Sequence, residues 1–76
     1  MEIKWLRTAL RDLTWVDHPV TAGHEVLAQV SAHAPAVPAT FEGERVRWSA
    51  PQRRVASGQT VALYDGDAVV GAGLAA

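Results

Sequence analysis

A chain of 76 residues makes one small domain with little core to spare. It contains no cysteine, which excludes disulfides, thiolate catalysis and cysteine-based metal sites and leaves stability to packing alone. The formal net charge of −1 gives no overall attraction for a polyanion, and no apolar run approaches membrane-spanning length or resembles a signal peptide.

This is the composition of a soluble intracellular domain. The apolar fraction is 49%, supplied mostly by alanine and valine, so each apolar residue buries little area. Trp5, Trp15, Trp48, Phe41 and Tyr64 are therefore expected to carry much of the packing.

The N-terminal stretch supports two readings. Ile3, Leu6, Leu10 and Leu13 fall at helical spacing. However, no capping residue precedes Ile3, and Trp5, Thr8, Thr14, Trp15 and Val16 favour extended backbone. Residues 17–23 then read as a loop. From Glu25 to His33 the chain alternates, with Val26, Ala28, Val30 and Ala32 on one side and Gln29, Ser31 and His33 on the other, which predicts a half-buried strand. Pro35 and Pro38 end it.

A hairpin is predicted next. Ala39 and Phe41 point inward, Gly43 turns the chain, and Val46, Trp48 and Ala50 return on the inner face. Residues 51–59 read as a loop with Val55 tucked in. The last hairpin pairs Thr60–Tyr64 with Ala68–Leu74 around Asp65-Gly66, a dipeptide suited to a type I′ turn. Gly71 and Gly73 within its second strand signal a bulge, a tight corner or close backbone approach. Together these features predict an all-β fold: a small antiparallel β-barrel of about six short strands with no major helix, forming a single domain over residues 1–76.

Catalytic signatures are not found. His18, His24 and His33 lack metal-ligand spacing, and Ser49 and Ser57 lack a nucleophile motif. Gly71-Ala72-Gly73 precedes no helix, and Asp65 and Asp67 are accounted for by turn chemistry. No catalytic residue and no metal site is assigned. One cluster remains, because Arg45, Arg47, Arg53 and Arg54 are four of the seven basic residues and fall within ten positions. They are either a solvated face or a patch that contacts phosphate.

The stretch from Pro51 to Asp67 (PQRRVASGQTVALYDGD) resembles the tail of the tRNA-specific 2-thiouridylase family, roughly P-Q-x-x-V-x-P-G-Q-x-x-V-x-Y-x-G. Val70-Gly71-Ala72-Gly73 is similar to that family's closing L-G-G-G, and Arg11-Asp12-Leu13-Thr14-Trp15-Val16 to its short D-V-N-W-I segment. Three departures stand out. Ser57 takes the place of a usual proline, Ala72 that of a glycine, and Val30-Ser31-Ala32-His33 that of a basic, aromatic strand.

The resemblance implies a C-terminal β-barrel excised from a larger cytoplasmic enzyme, with its N-terminal stretch extended. It implies that ATP-dependent activation of the wobble uridine and sulfur transfer from a persulfide belong to the family's other domains. This fragment would then be non-catalytic and need no cofactor of its own, ATP being implied only for the full-length enzyme. Its expected partners are tRNA, held weakly, and the catalytic and central domains of the same polypeptide, with no membrane. The alternatives are a purely structural cap on those domains, or a stand-alone barrel that binds a protein or small ligand.

Overall fold

The computed structural model describes residues 4–31 and 33–76, with Lys4 described by its backbone alone. Ile3 of the expected N-terminal stretch and Ala32 of the expected strand lie outside these residues. The described residues form six strands: β1 (Lys4–Trp15), β2 (Glu25–Gln29), β3 (Val37–Phe41), β4 (Arg45–Arg53), β5 (Thr60–Asp65) and β6 (Ala68–Ala75). Every pairing is antiparallel, and the order β1-β4-β3-β2-β5-β6 closes on itself. Closure leaves no open sheet edge, which protects strands as apolar as β5 and β6.

The structure decides the N-terminal stretch in favour of strand. The Leu10-to-Leu13 step of its apparent helical spacing comes from a bulge. Arg11 pairs with Leu74 and Thr14 with Ala72, so β1 advances three residues while β6 advances two. Asp12 takes the left-handed conformation there (φ 54°), which aspartate tolerates better than most residues. The inward side therefore changes parity: Thr8 and Leu10 are buried before the bulge, and Leu13 and Trp15 pack on the core after it. Leu6, at 53% exposure, belongs to no buried stripe.

The core consists of Leu10, Val26, Ala28, Ala39, Phe41, Val46, Trp48, Val55, Val61, Leu63 and Ala75, all drawn inward by strand alternation except loop residue Val55. Trp48 donates its indole N–H to the Thr8 hydroxyl at 2.9 Å, so the one polar atom of this buried ring is satisfied. Trp15 meets Phe41 edge to face, with ring centroids 5.2 Å apart. Trp5 departs from the expected packing role, being 45% exposed.

Gly71 and Gly73 mark close approach. A β-carbon at Gly71 would lie 2.5 Å from the Trp15 ring, and one at Gly73 would lie 2.9 Å from Leu13. The two glycines make room for the side chains that the bulge turns inward.

Four expectations about boundaries and turns are corrected. The strand expected to reach His33 stops at Gln29. There the Gln29 amide donates to the Ala34 carbonyl at 2.8 Å and accepts from the Tyr64 hydroxyl at 2.9 Å, folding the chain back. The expected loop 51–59 begins only after Arg53, because Gln52 and Arg53 pair with Trp5 and Lys4.

Ala50 is exposed rather than inward. Between Trp5–Gln52 and Arg7–Arg47, β4 advances five residues against two on β1, and this excursion carries Ser49, Ala50 and Pro51 outside. Pro51, which has no N–H to give a ladder, is accommodated there. Finally, Asp65 pairs with Ala68, so the two-residue turn is Gly66-Asp67. Only Gly66 has positive φ (60°), as in a type II′ turn.

Candidate RNA-contact site

All four candidate arginines lie on or just beyond β4, but the structure divides them into two groups. At the start of the strand, the β3–β4 turn presents Glu42, whose backbone N–H donates to the Arg45 carbonyl at 2.8 Å. Arg45 Nε then donates to Glu42 Oε1 at 3.0 Å, and Arg47 Nε donates to Oε2 at 3.2 Å. Arg7, directly across the ladder from Arg47, brings a third guanidinium, with its Nε 3.6 Å from Oε1. The side chains of Arg7, Arg45 and Arg47 are each about half exposed, at 50%, 52% and 49%.

These interactions set the chemistry of this end. The Arg45 hydrogen bond is the largest influence holding the Glu42 carboxyl below its ordinary value. Partial loss of solvent opposes it, and Arg47 and the two guanidinium charges assist it. One carboxylate offers about four lone-pair sites, whereas each guanidinium carries about five donors. Much of the donor capacity of the three arginines therefore remains for other acceptors. Glu44, beside Arg45 in the same shallow cleft, moderates the positive charge.

At the other end of β4, the Arg54 guanidinium lies over the Trp5 ring, 5.7 Å from its centroid. Arg53, in the preceding position, pairs across the ladder with Lys4. Along the strand, Arg47 and Arg53 stand at most about 20 Å apart. Sequence reasoning missed Arg7, Glu42 and Trp5 as members of these groups. Outward alternation marks Arg7 and Trp5 only once β1 is read as a strand, and the β1–β4 pairing is not local.

The remaining candidates do not assemble a centre. His24 Nε2 is 3.6 Å from an Asp65 carboxylate oxygen, and His18 Nδ1 is 3.9 Å from Asp17. Among the described residues, no group of three or more histidine, cysteine or acidic side chains is placed to hold a metal. The described residues also form no helix, so Gly71-Ala72-Gly73 lies within β6 and opens onto no helix N-terminus. Among the described residues, no helix is long and apolar enough to cross a membrane.

The family described as the aminomethyltransferase beta-barrel domain matches residues 5–75. A tRNA-specific 2-thiouridylase of Roseiflexus sp. (strain RS-1) is 49% identical over 57 residues, covering 68% of this chain and 15% of the relative. The chain belongs to the β-barrel domain family of tRNA 2-thiouridylases.

Two further 2-thiouridylases bear on this barrel. That of Roseiflexus castenholzii is 43% identical over 79% of the chain and 16% of the relative. That of Rhizorhabdus wittichii is 41% identical over 84% of the chain and 16% of the relative. The barrel thus spans about 15% of the length of the curated relatives it matches. No solved structure matches it significantly.

Proposed function

We propose that this barrel is the tRNA-seating accessory domain of a 2-thiouridylase and takes no covalent part in sulfur transfer. The observation that carries this reading is the basic β1–β4 ladder, with Arg7, Arg45 and Arg47 held at one end by Glu42 and Arg53 and Arg54 at the other, on a barrel of this family. Guanidiniums fixed on strands meet phosphate oxygens with little loss of side-chain freedom. Any gain in rate comes from positioning the wobble uridine for groups on another domain. The reaction and its ATP requirement belong to that other domain, and the compartment is the cytoplasm.

A second role, packing on the catalytic and central domains, is favoured by exposed apolar side chains. Val16 (71% exposed) and Val69 (47%) line a cleft of about 430 Å³ with Val20 and Val70. Such a surface suits a neighbouring domain.

The purified barrel tests the chemistry directly. It is expected to bind tRNA weakly, to lose that binding as salt rises with a shallow slope, and neither to thiolate tRNA nor to hydrolyse ATP. Turnover that tracks the 76-residue chain would contradict the non-catalytic reading. Unmeasurable tRNA binding at low salt would move the structural cap ahead.

A further inference from the structure

The geometry points to a nucleobase-stacking site at Trp5 and Arg54, taking an unpaired base of the RNA that the arginines hold. This inference rests on the tRNA reading and specifies what one end of the ladder recognises. Three observations lead to it. Trp5 remains 45% exposed although Arg54 lies over its ring, whereas Trp48 is 3% exposed and Trp15 packs on Phe41. The barrel therefore places one of its three indoles outside its own core.

Trp5 and Arg7 also both lie on β1 and pair with β4, so the exposed ring and the Glu42-held arginines belong to one ladder, with the β4 excursion between them. Beside the ring, Arg54, Ala9 and the barrel rim at Val55 and Ala76 form a shallow cleft of about 150 Å³, with room beside the indole for a flat ring.

An exposed indole next to a guanidinium is the pairing that captures unstacked bases. The ring offers a π face, and the cation meets the adjoining phosphate or stacks in turn. A base inside a duplex presents no face to such a site. The ligand is therefore a loop or single-stranded nucleotide with its flanking phosphate. Arg54 over Trp5 argues against a wholly apolar occupant, which would have to cover a guanidinium.

Fluorescence and binding titrations of the purified barrel test this, with hexauridylate, a blunt RNA duplex and tRNA as probes. Hexauridylate and tRNA are expected to quench Trp5 emission, and the duplex is not. Trp5→Leu, which keeps an apolar side chain, is expected to weaken hexauridylate binding roughly tenfold with its salt slope unchanged. Trp5→Phe retains most of the affinity, and Arg54→Ala lowers both affinity and slope.

Equal hexauridylate binding by Trp5→Leu and the parent chain overturns the site and assigns Trp5 to protein packing. Quenching by the duplex as strong as by hexauridylate also overturns it. If tRNA binds through the arginines while Trp5 emission stays unmoved, the stacking site falls and the tRNA reading stands. If hexauridylate is captured through Trp5 and tRNA is not, the tRNA reading falls and the stacking site stands.

Discussion

Arg45 and Arg47 donate to the two Glu42 oxygens at 3.0 and 3.2 Å, and Arg7 approaches at 3.6 Å, so this carboxylate is stabilised in its ionised form. Its pKa is lower in the folded chain than in the unfolded one, chiefly through the Arg45 hydrogen bond. The stability it contributes is then fully present above the ordinary glutamate range and is lost as pH falls through the lowered value. Glu42→Gln is expected to melt below the parent at neutral pH, with the gap closing on acidification. A gap that stays constant from neutral to acid pH would show that the ion cluster does not couple to folding.

Ser57 illustrates a residue that departs from a family pattern without disturbing the backbone. The Gln59 N–H donates to the Ala56 carbonyl at 3.2 Å, and Gly58 has φ 89°, which makes Ala56–Gln59 a type II turn with Ser57 in its second position. Proline suits that position. Ser57→Pro is expected to raise stability by about 0.4–1 kcal/mol by restricting the unfolded chain, as read from thermal or urea unfolding.

At the scale of elements, β1 depends on the bulge at Asp12. The left-handed conformation there is strained for a β-branched side chain and free for glycine. Asp12→Val is expected to destabilise the barrel by about 1–2 kcal/mol and Asp12→Gly to leave it near neutral, as measured by denaturant unfolding. Equal losses from both would mean that the carboxylate, 2.8 Å from Arg11, matters more than the backbone.

The same element shows what the sequence made legible. Strict alternation exposed β3, β5 and the inward residues Val46 and Trp48, because a single buried face repeats every second residue. In β1 the bulge broke that period between Leu10 and Leu13, and family resemblance rather than periodicity indicated its extended form. The four arginines could be read as a cluster from spacing. Their division into two groups could not, since it depends on Arg7 and Trp5 being brought across a ladder by pairing 40 or more residues apart in sequence.

For the whole molecule, the closed barrel separates two kinds of surface. The β1–β4 ladder carries the arginines and the exposed Trp5, while Val16 and Val20 from the loop after β1 and Val69 and Val70 from β6 line a mixed cleft beside Asp17, His18, His24 and Asp65. In a longer enzyme these would face RNA and a neighbouring domain, respectively. A domain anchored by the second surface presents the first at high effective concentration, so interactions that are weak in the isolated barrel weigh more in the whole enzyme.

The most direct measurement is therefore tRNA binding as a function of salt by a chimaeric 2-thiouridylase. This chain would replace the matching barrel of the Roseiflexus sp. enzyme and would carry either its own arginines or alanine at positions 45, 47, 53 and 54. The alanine form is expected to bind tRNA more weakly, with a salt slope shallower by roughly one for each phosphate no longer neutralised, and its turnover at saturating tRNA is expected to be unchanged. Identical affinity and identical salt slope in the two forms would contradict phosphate contact by these arginines.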